Sequence, residues 1–538
     1  MNFHWDDRSK LYSDFKYLVE LRRRIINSIS KELNLLHNTS LSERSWHLIL
    51  GYWLNQFLAV SLDRYIRLVE NPELDNGNEL NDSIEFSIPI NTSGAGKQFV
   101  DDDWNNKFTF FLKNTLNPNE KVFFHKFSSE EIIEDKNFKK RFISIAKKIL
   151  SIFLRLSFNG KKTFLIFSPK MSLINLLKLR FNLKGAKVIY EPSFQSSRYK
   201  VYDFQMRSFN LHDCIIENEF EIFLFQIIPF FIPTTFIEGF SDTIETLNQN
   251  KNIPYKSDVI FTASGHFDCD TFKIWSAFQI EKGAKFVVGM HGGGLNKFNG
   301  AYAFESDICD LLIVHGEGDK RYEKNRVAGQ FFSKIKLNSW NINGDAVMIT
   351  VAMPKYVFDL RSMALASQME CYFNDIFSFY NNLSHSIKSR TAIKLYPTDY
   401  GWNQKQRWEE IDSKTKFAKN TSIRKLVKDS RLVICTYNAT VYLETLAANI
   451  PTIIFWDLNL WEWPEFADED FKKLKSVGIF HETPTSASNH VEKIWDNVQN
   501  WWLDPVLQDI REKFCEKYAF RNNSVIPNLS KILKEASK

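Results

Sequence analysis

Apolar residues recur at helical spacing through the first seventy positions. From Tyr17 to Leu36 they mark one helix, with Arg22, Arg23 and Arg24 near its start. Ser40 or Ser42 suits the cap of a second helix, whose buried face is expected to carry Trp46, Ile49, Leu50, Trp53, Leu54 and Phe57. Residues 71–107 are rich in Asn, Asp, Gly and Ser and read as loop with short strands. From 108 onward short apolar runs alternate with helical stretches. The runs predict strands at 122–125, 163–168, 186–191, 258–263, 285–290 and 311–315, with helices at 138–158 and 173–183. Residues 341–345 read as a linker. A second alternation follows, with strands at 346–351, 392–396, 432–436, 452–456 and 478–481, helices at 360–386 and 486–500, and a helical, charged end from 505 to 538. Strand–helix alternation predicts parallel sheets covered by helices, an α/β class. No fixed-period repeat is present, which argues against a solenoid.

The expected organisation is a helical and loop region over 1–107, a first Rossmann-like domain over 108–341, and a second over 342–538 with C-terminal helices. By analogy of fold, the terminal helix of such a pair returns to the first domain.

Composition narrows the function. The 538 residues are 44% hydrophobic and 25% charged, and 48 Phe with 14 Trp can fill a large core. The 69 basic and 64 acidic residues leave a net charge of +5, too balanced to argue for nucleic acid. None of the six cysteines forms a Cys-x-x-Cys pair, so a reducing, cytoplasmic setting is expected. The first residues lack a charged stretch followed by an apolar one, so no signal peptide is expected. The most apolar window, 222–236, is short for a membrane span and is broken by Gln226, Pro229 and Pro233. It reads as a buried core helix or inter-domain segment, with contact to a membrane surface as the alternative.

The chemistry gathers at strand ends. The run 285–294 carries an apolar strand into His291, Gly292, Gly293 and Gly294. Open α/β sheets place ligands at such a point, and a histidine there can act as a base or a phosphate partner. It is not a P-loop, because no Lys-Ser/Thr follows, and Lys297 takes the place of a third spaced glycine. Thr436, Asn438, Thr440 and Glu444 form a second group, where a strand turns into a helix whose start attracts phosphate. A third runs from Lys394 through Tyr396, Pro397, Asp399 and Tyr400 to Trp402, offering a cation and rings for a base. Weaker candidates are His266 with Asp268 beside the same rim as His291, then Glu305 and Asp457. Each group also has a bland reading, as turn histidine, helix cap, aromatic strand exit or polar loop. Asp268-Cys269-Asp270 has the spacing of a metal motif but reads as accidental, so neither a metal nor a cofactor is expected.

Together these residues resemble a known family. Glu43-Arg44-Ser45-Trp46 with Leu50-Gly51-Tyr52-Trp53-Leu54 and Asp63-Arg64 resembles the N-terminal signature of transferases encoded in surface-polysaccharide and O-antigen gene clusters of bacteria such as leptospires. Three later runs look like that family: Glu281-Lys282-Gly283-Ala284-Lys285 through His291-Gly292-Gly293, then Tyr396 through Trp402, then Thr436-Tyr437-Asn438-Ala439-Thr440 through Pro451. Two departures stand out. Met290 replaces the usual Gln, and Leu295-Asn296 replaces the usual Tyr-Gly. The resemblance implies a GT-B-like glycosyltransferase fold, two Rossmann-like domains facing a cleft, and a role in building lipopolysaccharide, O-antigen or capsule. The donor it implies is a CMP-sugar or other nucleotide sugar, and the acceptor is lipid-linked or an oligosaccharide, with peripheral contact at the inner membrane. Donor would lie on the second domain against Lys394, Tyr396, Asp399, Thr436, Asn438, Thr440 and Glu444, with the catalytic His291, Gly292 and Gly293 facing it. Two alternatives stay open: a CDP-alditol-type phosphotransferase with His291 as base, and a non-catalytic assembly protein that keeps the fold.

Overall fold

The computed structural model describes residues 3–70, 83–116, 124–129, 160–194, 200–211, 213–316, 318, 323–419 and 421–538. The helix expected at 138–158 lies outside the described residues.

Two six-stranded sheets, each parallel throughout, carry the chain. The first has the spatial order Ala186–Tyr190, Lys162–Phe167, Val259–Thr262, Lys285–Gly289, Leu311–Val314, Asn325–Val327. The second runs Lys416–Phe417, Thr391–Lys394, Asp345–Ile349, Ser430–Cys435, Thr452–Phe455, Phe480–His481. The central strands are apolar runs because both faces are covered: every residue of Val259–Thr262 and of Thr452–Phe455 is buried. In each sheet the strand order reverses once, between Lys162–Phe167 and Val259–Thr262 in the first and between Asp345–Ile349 and Ser430–Cys435 in the second. Crevices for ligands form outside the carboxyl ends at such points. The strands that carry His291 and Thr436 lie in different sheets, as a two-domain, GT-B-like arrangement requires.

Three expectations need correction. The run at 122–125 belongs to neither large sheet; Phe124–Ser129 pairs in parallel with Ser83–Ile88 in a separate two-stranded sheet. The helix expected over 360–386 is confined to Met369–Asn381, preceded by an irregular stretch from 350 to 365. The stretch 71–107, expected as loop with short strands, also carries the helix Thr92–Gln98 and the start of Asp102–Leu116 among its described residues.

The N-terminal helices pack against helices of the first half of the chain. Asp7 caps Arg8–His37 by accepting from Ser9 and Lys10 backbone N–H groups, and Asn38 ends it in the left-handed region. Glu43–Glu70 is buried along most of its length, wedged between the first helix and the helices Asp270–Glu281 and Gly300–Ile308. Trp46, Ile49, Leu50, Trp53, Leu54 and Phe57 are all buried. Each such side chain contributes roughly 1.5–3 kcal/mol. Gly51 costs helix propensity, but a Cβ there would come 2.9 Å from Phe304. The glycine therefore lets this helix lie close against Gly300–Ile308, which carries Glu305.

The apolar window folds into Glu219–Phe231, whose Phe220, Phe223, Leu224, Ile227, Ile228 and Phe231 join the N-terminal core. Among the described residues no helix is long and apolar enough to cross a membrane. At the other end, Val525–Ala536 packs on the first sheet: Val525, Ile526, Leu529 and Leu533 share a core with Phe164, Leu179 and Phe261. Arg8 reaches across to the second half, donating to Glu462 at 2.8 Å.

Candidate functional site

Lys285–Gly289 delivers His291 to the carboxyl edge of the first sheet. Its ring faces solvent, yet enough protein surrounds it that burial holds its pKa below the ordinary histidine value. Glu305 pulls the other way, and His266 and Lys170 add to the lowering. A hydrogen bond to the Ala263 backbone engages the ring and favours its protonated form. Phe267 lies 5.7 Å away, ring centroid to centroid.

Behind this histidine, His266 Nε2 and Glu305 Oε1 share a hydrogen at 2.9 Å, both side chains fully buried. Burial pushes the Glu305 carboxyl up and the His266 imidazole down. The pair is thus neutral near pH 7, the inexpensive state for two ionisable groups without water. Among the described residues Glu305 Oε2 and His266 Nδ1 have no protein partner. Asp268 is exposed at the rim, whereas Asp270 is buried and accepts from Thr92, so the two carboxylates of the Asp-x-Asp spacing diverge. Among the described residues no three His, Cys, Asp or Glu side chains gather as a metal site.

The three glycines answer to a different demand. Gly292 and Gly293 have φ of 147° and 96°, which L side chains rarely adopt. A Cβ on Gly292 would come 2.7 Å from Thr440 Oγ1, and one on Gly293 would collide with the Tyr302 hydroxyl. Space is needed because the loop is pressed against the second domain. Gly293 N–H donates to Thr440 Oγ1 at 2.7 Å, Tyr302 O–H donates to the Gly292 carbonyl at 3.0 Å, and Asn438 grips Leu295.

That contact fixes what the second group does. Thr436 is buried, its hydroxyl donating to the Ile349 carbonyl at 2.9 Å and paired with Tyr372 O–H at 2.7 Å. Asn438 accepts from the Leu295 N–H and the Tyr442 hydroxyl and donates to the Leu295 carbonyl. Both side chains are engaged with protein, and so is Thr440, whose Oγ1 accepts from Gly293 N–H. Glu444 points away from the turn: Ser333 and the Lys334 backbone hydrogen-bond it, Arg521 lies near, and burial raises its pKa against them. Asp399 caps Gln404–Ile411; burial opposes its ionisation, but the Gln404 and Asn403 N–H donors win and hold its pKa low. Lys394 is half-buried at its strand end. Asp457 sits beside Asp375, whose pKa burial and that neighbouring charge push up to about 6.

A cavity of about 270 Å³ opens at the carboxyl edge of the second sheet. Val351 and Met353 follow one strand of its reversal point, and Tyr437 with Ala439 follows the other. Tyr356, Tyr396 and Tyr400 add rings, and Arg361 adds a half-buried cation paired with Asp359. The cavity borders the glycine loop, since Ala439 lines it and the next residue, Thr440, holds Gly293. Tyr396 was expected here from its strand end. Arg361 and Tyr356 were not: Arg361 falls in the stretch that reads as helix, and Tyr356 lies between that stretch and the preceding strand with no motif to mark it.

The comparisons with known proteins agree with this picture at one level. The model of the LIC12162 family transferases matches residues 1–533. The chain belongs to that family. It is therefore a transferase, in keeping with the resemblance drawn from its motifs. No curated protein matches it in sequence. Among solved structures it is similar to MnaA of S. aureus bound to UDP, at 11% identity and a TM-score of 0.38, covering 70% of this chain and 96% of that one. A glycosyltransferase from Rickettsia africae gives 12% and 0.37, covering 71% and 100%. MurG of Acinetobacter baumannii gives 10% and 0.33, covering 70% and 99%. Likeness of this size carries no argument about substrate.

Proposed function

We propose that this transferase moves a sugar from a nucleotide-activated donor onto a lipid-linked or oligosaccharide acceptor during synthesis of a bacterial surface polysaccharide, at the cytoplasmic face of the inner membrane. The observation that carries the reading is the tyrosine-lined cavity at the reversal point of the second sheet, with Arg361 in its wall and His291 on the loop beside it. A nucleotide base stacks on aromatic rings, here Tyr396, Tyr400 or Tyr437. The diphosphate or monophosphate faces Arg361 and the start of Thr440–Ala447, where helix-end N–H groups favour anions. His291, neutral because burial lowers its pKa, takes the proton from the acceptor hydroxyl. The acceptor oxygen then bonds to the sugar carbon, and the bond from that carbon to the phosphate oxygen breaks, leaving its electron pair on the nucleotide.

A thermal-shift panel of CMP, CDP, UDP and GDP at millimolar concentration tests this directly. The expected result is stabilisation by one nucleotide class, reduced about tenfold in affinity by Arg361→Ala, since a hydrogen bond to a charged group is worth roughly 1.5–3 kcal/mol. No shift with any of the four would remove the donor site, and with it the sugar-transfer reading.

A further inference from the structure

The helix Leu173–Asn182 is apolar on two opposite faces, although one face is enough to hold it in place. Leu176 and Leu179, with Leu183 just beyond, are buried against the terminal helix and the first sheet. On the other side Ile174 and Phe181 fall at i and i+7, two turns apart on one stripe, while Leu177 between them packs toward the core. Ile174 is 62% exposed and Phe181 65%, and Leu173 beside them is 52% exposed. Soluble surfaces scatter large apolar residues singly; a contiguous stripe of this kind marks a contact.

Charge narrows the partner. Between 169 and 190 the chain holds five basic residues, Lys170, Lys178, Arg180, Lys184 and Lys187, and no acidic one. Lys178, Lys184 and Lys187 are exposed. The terminal helix packed alongside adds exposed Lys531 and Lys534 against one exposed acid, Glu535. An apolar stripe flanked by lysines fits the boundary between headgroups and acyl chains of an anionic bilayer, where the apolar side chains insert and the lysines stay with the phosphates. A protein partner would need complementary acids, and nucleic acid would leave the stripe uncovered.

Position supports the same partner. The helix starts just after Lys170, and Lys170 is close enough to His291 to bias its charge. The stripe therefore begins at the rim of the cleft from which an acceptor reaches His291. We propose that the exposed face of Leu173–Asn182 docks on an anionic membrane surface and presents the cleft to an acceptor held in that membrane. The location next to the acceptor side rests on the transferase reading above; the docking itself does not.

The test is co-sedimentation of the full chain with vesicles of phosphatidylcholine alone and of phosphatidylcholine with phosphatidylglycerol. Binding is expected to the second and to weaken at high salt. Each lysine near an anionic surface contributes about a fivefold gain in binding. Lys178→Glu with Lys184→Glu should therefore weaken binding at least tenfold, and Ile174→Ser with Phe181→Ser likewise. All four positions are exposed, so melting temperature and nucleotide binding should match the parent chain. Equal vesicle binding by both variants would overturn the proposal, as would a parent chain that pellets with neither vesicle. A dimer abolished by the same substitutions would place a second copy on this face and overturn it too. If vesicles fail while a nucleotide still stabilises the protein, docking falls alone; if vesicles bind and no nucleotide does, the donor site falls alone.

Discussion

Asn438 holds Leu295 by both sides of its backbone, donating through Nδ2 to the carbonyl at 2.7 Å and accepting the amide N–H at 3.0 Å. The two residues follow strands of different sheets, so one amide side chain ties the glycine loop of the first domain to the strand-to-helix turn of the second. Both ends are buried. Truncating Asn438 leaves two backbone groups of Leu295 without partners, and each orphaned buried group costs about 1–3 kcal/mol. Asn438→Ala is expected to lower the first unfolding transition in urea by about 2–4 kcal/mol on that basis. Asn438→Asp should be worse, because a carboxylate would face the Leu295 carbonyl. A variant as stable as the parent chain would show that the two halves are not joined here.

Gly293 gives a paired prediction. Its φ of 96° disfavours any side chain, and a Cβ would meet the Tyr302 hydroxyl. Gly293→Ala should destabilise by about 2–4 kcal/mol, combining left-handed strain with a clash. Tyr302→Phe removes the hydroxyl, so the double substitution should recover about 1 kcal/mol relative to the sum of the single effects. Additive losses, measured by thermal unfolding of all four chains, would mean that the strain and not the contact sets the cost.

These contacts mark the boundary of what a sequence can reveal. Strand ends were legible because their apolar runs stop at polar residues: the run 285–290 and the observed Lys285–Gly289 differ by one residue. The stretch 354–365 was not. Its Val357, Leu360 and Leu365 look periodic, but they bury into the N-terminal core and leave Asp359 and Arg361 at the cavity, an arrangement with no local signature. Asn438 was singled out for the right reason of place, and its role was still ambiguous. The amide that suits a phosphate turn also suits a backbone clamp, and a residue 143 positions away decides between them. The same holds for His266 and Glu305, 39 residues apart and paired by topology alone.

Buried histidines predict acid sensitivity. Burial, with the Arg22 charge second, lowers His47 to about 3. Its folded pKa lies below the unfolded value near 6.5, so as pH falls the unfolded chain binds a proton that the folded chain refuses. Stability is therefore full above about pH 6.5 and falls below it, by about 1.4 kcal/mol per pH unit from this one group. His47→Gln should flatten the dependence by about that slope between pH 6 and 4. Identical slopes in urea titrations of the two chains would show that His47 is hydrated in solution.

His291 carries the last prediction. The Ala263 backbone holds its ring, and burial lowers its pKa. A base must be neutral to act, so kcat/KM should fall as pH drops through that pKa, and the acid limb should lie below about 6.5. His291→Ala should lower turnover by about 10²–10⁴-fold. Nucleotide affinity should change little if the ring moves a proton, and should fall in step with turnover if it grips phosphate in the ground state. His291→Asn separates these further, because it keeps a hydrogen-bonding group and cannot accept a proton at neutral pH. A proton-transfer role predicts that Asn is as inactive as Ala; a phosphate-gripping role predicts partial rescue. A folded His291→Ala chain with undiminished turnover and an unmoved acid limb would take this residue out of the mechanism. The buried pair behind it, His266 and Glu305, would then be the next place to look, since among the described residues Oε2 of the glutamate and Nδ1 of the histidine are both without a protein partner.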